Sequence, residues 1–447
     1  MVIRKSNQVR GIFRRWDWLL IAVLAPLMLF PQPGMIWSIL LFPLILFVQW
    51  WAWAEILPVT PLNPAILLMG VMTGVSLFVT PDLLASLGKV TGVLLGMLVF
   101  FTVVRHGRTK TGWNGALGGY ALAGLGTAAI GLIGTNWSPS KFTGLDTFLS
   151  SIPVRISGLP GAEQGINVNE LAGSLLWIVP LVVMAGVALL LEPEWFIGLS
   201  KKRIVKHIRF TAWAVLLGIA IIICAGVLVI SQSRDGYLAL AVACPLLILI
   251  IARGWLRYLM GAVVVAVTIV AVMVISHAET ELVLNQVFGI LPAKGAVFSV
   301  SSMFGRVDIW SRAVNAIREA PLTGLGMNIF RKAVYLQIPP FPDPGFDIAH
   351  AHNELLTAAL DIGIPGLVGF LALNFGAIGM LMKPIRNRGA IRTLALGLLG
   401  GLMAHFLFGL TDTVALGAKP GFLLWWLLAL IVSLHEHTRS VGIKTQA

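Results

Sequence analysis

Runs of about 20 apolar residues recur along most of this chain, and such a chain can satisfy its backbone only as helices packed within a bilayer. Twelve runs stand out, at approximately 17–31, 35–54, 62–80, 83–104, 114–134, 169–191, 211–231, 237–252, 256–276, 366–382, 391–411 and 418–435. The first follows Arg14 and Arg15, as a signal peptide would. It lacks a small-residue cleavage site at Phe30-Pro31-Gln32-Pro33 and reads as a retained anchor. Composition agrees: 57% hydrophobic against 11% charged residues over 447 positions lies outside the range of ordinary globular domains. The expected fold class is all-α, a polytopic membrane protein of about 12 transmembrane helices with a partly helical extracytoplasmic cap.

The net charge of +13 would suit a nucleic-acid surface if the basic residues formed one patch. They instead occupy short loops between alternate apolar runs. With the N-terminus inside, the inner segments hold 21 of the 32 Lys and Arg residues and five of the 19 acids, leaving that side at +16 and the other at −3. The basic balance is therefore an orientation signal, and no nucleic-acid partner is expected. Cys224 and Cys244 both lie inside apolar runs, so there is no disulfide framework.

Twelve spans put both termini in the cytoplasm and two long segments outside, residues 135–168 and 277–365. The expected organisation is nine helices over 1–276, a periplasmic cap over 277–365, and three helices over 366–447. Inner loops are short and basic and hold no Walker-type Gly-Lys-Ser/Thr sequence, so any energy for chemistry must arrive with the substrate. No inverted repeat or matched pair of broken helices is visible, which disfavours a secondary transporter. The 47 glycines fall mostly within spans, where close helix packing explains them.

Three outer stretches carry chemistry. Ser231-Gln232-Ser233-Arg234-Asp235-Gly236-Tyr237 places charge at membrane-surface depth, where it is expensive unless paired or used. One reading is local neutralisation of Arg234 by Asp235; the other is a fixed guanidinium facing an anionic headgroup. Phe304 to Ala320 has a 3-4 spacing of Arg306, Ile309, Ala313, Ala316 and Ile317, an amphipathic helix ended by Pro321, with Trp310 as an interfacial anchor. Arg312 and Arg318 fit a solvated face of it, whereas Arg306, beside the positive end of the helix dipole, wants a reason to be there.

The third stretch is Asp347-Ile348-Ala349-His350-Ala351-His352-Asn353-Glu354. Asn353 reads as the N-cap of a helix ending at Gly363-Ile364-Pro365-Gly366. Extended outward from the next span at 1.5 Å per residue, that helix would lift His352 about 15 Å, to headgroup height. His-x-His invites zinc with Asp343 or Asp347 as a further ligand, but residues two apart do not share a helical face and only His277 could add another imidazole. The competing readings are a general base at the lip of the helix, or a structural role for both histidines. Two arginines and a histidine on one face, with no Asp-x-Asp metal site, suit glycosyl transfer from a lipid diphosphate: the arginines neutralise the leaving group and the histidine takes the acceptor proton. Further back, Asn169 reads as the N-cap of the sixth span with Glu170 favourable beside its dipole; the alternative is a glycan-facing role for Asn167 and Glu170. Asp412, in the last outer turn, is similar and less informative.

Together these features resemble the O-antigen ligase and O-antigen polymerase superfamily over about residues 210–410: the Ser-Arg-Asp-Gly turn, the Gly-Arg-x-x-x-Trp helix with Pro-Leu-x-Gly-x-Gly, and the His-Asn helix. The ligase pattern of His, Asn/Ser/Gln, nine residues, Gly, two residues and Gly/Thr/Tyr is met by His352-Asn353, Glu354 to Ile362, Gly363, Ile364-Pro365 and Gly366. The resemblance implies a metal-independent, inverting glycosyltransferase of the bacterial cytoplasmic membrane, with its site on the periplasmic face and no cofactor. It implies an undecaprenyl-diphosphate-linked glycan donor and a lipid A-core acceptor, with membrane lipids around the chain. Carried over by position, it makes His352 the base and Arg306 and Arg234 diphosphate binders, with Asn353 and His350 supporting. Arg312, Asp235, Asn169 and Glu170 complete the expected substrate-binding set. A polymerase that elongates a lipid-linked glycan shares the donor chemistry and is the alternative; a protein O-glycosyltransferase is less favoured without a further C-terminal domain. In a different class, a transporter for a glycan lipid or organic anion would place its charges at mid-span, whereas these cluster at outer ends.

Overall fold

The computed structural model describes residues 2–32, 34–137, 149, 151–156, 158, 165–198, 202–276, 300–336 and 348–444. Numbering the helices of 13 or more residues in chain order gives α1 Val2–Leu29, α2 Leu41–Trp53, α3 Asn63–Val79, α4 Leu83–Gly107, α5 Lys110–Gly134, α6 Val168–Leu191, α7 Arg203–Ile230, α8 Arg234–Ile251, α9 Trp255–Ser276, α10 Val300–Glu319, α11 Glu354–Arg386, α12 Gly389–Phe408 and α13 Phe422–Lys444. Among the described residues the β structure is an isolated Thr135–Ile166 bridge, and nine helical stretches are long and apolar enough to cross a membrane. Two shorter apolar helices, Asn63–Val79 and Trp255–Val267, fall where the sequence also expects spans. The protein is an all-α polytopic membrane protein. Its outer surface exposes large apolar side chains such as Phe78, Leu190 and Ile222, as a lipid-facing wall requires.

The core forms where small residues let helices close up, because lipid gives apolar side chains no drive of their own to associate. The α6–α12 pair makes the most extensive contact. A Cβ on Gly401 would lie 2.7 Å from the Trp177 carbonyl oxygen, so only glycine permits that approach. α4 is buried along most of its length between α1, α5 and α13. At the end of α4 remote from Lys89, buried Arg105 donates to Gln49 Oε1 at 2.6 Å and to the carbonyl of Ile56 at 2.8 Å, so both terminal nitrogens of a charge inside the protein have acceptors.

Over the other end of the bundle sits a small second core of Ile309, Ala313, Ala316, Phe330, Val334, Ile348, Ala351 and Leu360. α10 supplies its apolar stripe, as the 3-4 spacing predicts, and α11 meets it with its first turns. The expected helix end at Gly363 is a kink: Ile362 and Gly363 leave helical geometry, with Gly363 at φ 71°, and the helix resumes to Arg386. The boundary drawn at 365 thus falls inside α11. The Leu360 carbonyl freed by the kink accepts from Leu325 N–H at 2.7 Å, and Ile364 N–H donates to the Pro321 carbonyl at 2.8 Å. The Pro-Leu-x-Gly-x-Gly loop therefore plugs the break in α11 and holds the cap to the bundle. Ser86 donating to the Met327 carbonyl and Lys89 pairing with Asp361 at 3.3 Å tie the same loop and kink to α4.

Two local expectations change. Asn167, not Asn169, caps α6: its side chain accepts from the N–H groups of Asn169 and Glu170, which frees the Asn169 amide for another partner. Arg312 is 5% exposed and bonded to Asp308, one turn back on α10, so it does not belong to a solvated face; Arg318 is exposed. His277, Asp343 and Asp347 lie outside the described residues.

Candidate active site

The site is built from four helix ends and one turn. Ser233 caps α8 by accepting from Gly236 N–H, which sets Arg234 and Asp235 in the first turn of that helix. Asn353 caps α11 as predicted, accepting from Leu356 N–H at 3.0 Å, while its amide donates to the Leu410 carbonyl at 2.9 Å. His352, one residue earlier, has φ 48°, a left-handed conformation that a residue with a Cβ adopts at a cost and that concentrates at functional sites. That turn carries its ring toward the α12–α13 connection.

There Asp412 is the hub. Its Oδ1 lies 3.1 Å from His352 Nδ1 and accepts from Thr413 N–H at 2.9 Å. Its Oδ2 accepts from the Asn169 amide at 2.9 Å and lies 3.5 Å from Arg306 Nη2. Burial alone would raise the Asp412 pKa. The His352 hydrogen bond, with the neighbouring His352, His350 and Arg306, overcomes it and brings the group down to about 2. A carboxylate accepts only, so His352 Nδ1 carries hydrogen, and in the neutral ring the lone pair is on Nε2.

Arg306 reaches in from α10 and forms a fork with Asp235, Nη1 to Oδ1 at 2.8 Å and Nη2 to Oδ2 at 2.9 Å. Burial opposes its charge, but Asp235 and Asp412 raise its pKa above the ordinary arginine value. This answers why a cation stands near the start of α10: two acidic groups, one in the first turn of α8 and one in the α12–α13 connection, hold it. The pairing of Asp235 with Arg306 also makes local neutralisation of Arg234 an incomplete account of the Arg-Asp turn. Arg234 has Asp235 and Arg306 as charged neighbours.

The two histidine rings meet edge to face at 4.5 Å, and His352 N–H donates to His350 Nδ1 at 3.2 Å. Burial, then the neighbouring His352, pushes the His350 pKa down to about 3, so this ring is a neutral acceptor. Trp310 Nε1 stands 3.4 Å from the His352 carbonyl, which gives that side chain a role at the site beyond an interfacial anchor. Glu170 has Lys419, Lys89 and Asp412 as charged neighbours. The structure thus gathers His352, His350, Asn353, Arg306, Asp235 and Asn169 about Asp412, with Arg234 and Glu170 beside them; Arg312 turns to Asp308 instead.

Metal-ligand atoms of His350, His352 and Asp412 lie within 4.8 Å of one another. The set has the chemistry of a zinc triad, with Asp412 in the place sequence reading assigned to Asp343 or Asp347. Against that use, both Asp412 oxygens are already engaged by His352, Thr413, Asn169 and Arg306.

Asp412 is the residue that sequence reasoning undervalued. Its signal was the expense of a lone carboxylate in a short turn at the end of two apolar spans, which calls for a partner. No curated protein matches the chain. Residues 219–371 match a protein family described as O-antigen ligase. The matched segment carries Arg234, Asp235, Arg306, His350, His352 and Asn353, while Asn169 and Asp412 come to the site from outside it. That match, with an all-α polytopic architecture around it, makes this part of the chain similar to the O-antigen ligase family and is consistent with the O-antigen ligase superfamily.

Proposed function

We propose that this protein is an O-antigen ligase: a metal-independent, inverting glycosyltransferase that moves a glycan from undecaprenyl diphosphate to a hydroxyl of lipid A-core. The carrying observation is the His352–Asp412 pair at 3.1 Å, which supports a base with its lone pair outward. In the step proposed, the acceptor oxygen attacks the anomeric carbon and its proton passes to His352 Nε2. The bond from anomeric carbon to phosphate oxygen breaks, and undecaprenyl diphosphate leaves with the electron pair. Asp412 keeps Nδ1–H in place and stabilises the imidazolium that forms.

Arg306 and Arg234 face the diphosphate as charge develops on it. Two of the Arg306 N–H groups bond to Asp235, with Asp412 3.5 Å from Nη2, and a guanidinium has five, so donors remain for phosphate oxygens. The carboxylates fix its orientation in advance. Asn353 and His350 hold the His352 segment, and the Asn169 and Glu170 end of α6 lies toward the acceptor or glycan. The reading puts the site on the periplasmic face of the bacterial inner membrane with both termini cytoplasmic, in line with the +16 to −3 charge asymmetry.

The test is reconstitution of the purified protein with a polyprenyl-diphosphate glycan and two acceptors in parallel, lipid A-core and a second lipid-linked glycan, in EDTA. Product on lipid A-core is expected. Elongation of the lipid-linked glycan alone would make the protein a polymerase. Loss of all transfer in EDTA with recovery on added zinc would assign His350, His352 and Asp412 to a metal, and wild-type transfer by His352→Ala would remove the base.

A further inference from the structure

Behind the site two titratable side chains meet that the reaction above does not use. His405, in the last turn of α12, and Glu354, the first residue of α11, have side chains 4% and 3% exposed. His405 Nε2 is 3.2 Å from Glu354 Oε1 and 3.1 Å from Oε2. Its Nδ1 is 2.9 Å from the Gly173 carbonyl oxygen on α6, and its ring stacks on Trp177 with centroids 3.8 Å apart. A carbonyl oxygen only accepts, so Nδ1 carries hydrogen. A carboxylate and a bare Nε2 both only accept, so their contact is a hydrogen bond when one proton lies between them. Whichever atom holds that proton, the pair is neutral overall and satisfied. Either partner alone would be a buried group without one.

The pair stands at a junction. Glu354 N–H donates to the Gly409 carbonyl at 2.6 Å, and the Asn353 amide donates to the Leu410 carbonyl at 2.9 Å. Glu354 is two residues after His352, and Leu410 two before Asp412. The His405–Glu354 bond and these two therefore join the segment that carries the imidazole to the turn that carries its carboxylate, at the root of both.

We propose that Glu354 and His405 are positioning residues for the His352–Asp412 pair: a buried latch, closed by one shared proton, that sets the register of the base against its carboxylate. The proposal rests on the reading of His352 as the base. It predicts that opening the latch slows the chemical step and leaves donor binding alone, since a misplacement of about 1 Å can cost roughly 100-fold.

The experiment uses the full chain in lipid nanodiscs with a polyprenyl-diphosphate glycan and lipid A-core. Glu354→Ala should lower kcat about 10- to 100-fold with donor KM within about twofold. Glu354→Gln should recover most of the rate, because its amide donates to Nε2 while Nδ1–H stays on Gly173. Glu354→Ala in an Asp412→Ala background should add no further loss. Should Glu354→Ala fail to assemble, Glu354→Asp, which withdraws the carboxylate by one methylene, takes its place. Wild-type kcat in Glu354→Ala while His352→Ala is inactive would overturn the latch, as would a Gln variant as slow as the Ala variant, or losses that multiply. Carbethoxylation of His352 by diethyl pyrocarbonate, read by mass spectrometry, follows the pair without turnover. It should rise severalfold in Glu354→Ala and not in Glu354→Gln, and an unchanged rate in Glu354→Ala overturns the latch even if His352 proves not to be the base.

Discussion

Asp412 accepts from His352 through one carboxylate oxygen at 3.1 Å and lies 3.5 Å from Arg306 through the other. The group expected to take a proton and the group expected to meet the diphosphate are thus oriented by the same side chain, which comes from a third element. Anything that moves the α12–α13 turn moves both.

Asp412→Asn should therefore cost much of the activity without removing any group that touches substrate. An amide can offer N–H to Nδ1 and turn the ring to the tautomer whose Nε2 carries hydrogen, so kcat should fall roughly 100-fold or more with donor KM little changed. Steady-state transfer kinetics in nanodiscs check this; a change confined to KM would remove Asp412 from its orienting role.

Arg306→Lys tests the fork. An ammonium keeps the charge but cannot reach both Asp235 oxygens and Asp412 in one plane, so kcat/KM for the donor should fall at least about tenfold. Arg306→Ala should also destabilise the protein, by about 3 kcal/mol, since it strips two carboxylates of their cation. Thermal unfolding of the two variants separates the effects: the lysine variant should unfold near wild type.

The pH dependence of stability follows from two groups. Asp412 falls from 3.8 to about 2 on folding, so its stabilisation is present above about 3.8 and is lost as pH drops through about 2. His350 falls from 6.5 to about 3, so the unfolded chain binds a proton that the folded chain refuses, and stability declines as pH falls from 6.5 toward 3. The melting temperature should fall between pH 6.5 and 4, and His350→Gln should flatten that slope while leaving the fall nearer pH 2. An unchanged slope in the variant would place its source elsewhere.

Gly363→Ala should destabilise by about 2 kcal/mol or more, through a left-handed backbone at φ 71° and a Cβ that would stand 2.4 Å from the Leu322 carbonyl oxygen. Because the loop that plugs the kink also carries the end of α10, transfer should fall as well. A thermal melt and a transfer assay on the same preparation would show the two losses together.

Much of the frame was legible in the sequence alone, because its determinants are local. An apolar run of bilayer length becomes a helix wherever it lies, so each of the twelve expected spans falls on a helix. The Asn353 cap, the stop at Pro321 and the break at Gly363 were readable for the same reason, each acting on backbone within a few residues. What tertiary structure alone decided is which distant groups meet. The Arg306–Asp235 fork spans 71 positions, His352–Asp412 spans 60 and Asn169–Asp412 spans 243, and no periodicity carries information over such separations. Asn169 looked like a cap because an asparagine before an apolar run ordinarily is one; Asn167 took that place, and helix packing brought the Asn169 amide to a carboxylate from the far end of the chain. Arg312 looked solvated because its helix face was polar in sequence, and the fold closed over it. Local chemistry sets where helices begin, bend and end, whereas a partner for a buried charge is chosen by the packing that buries it.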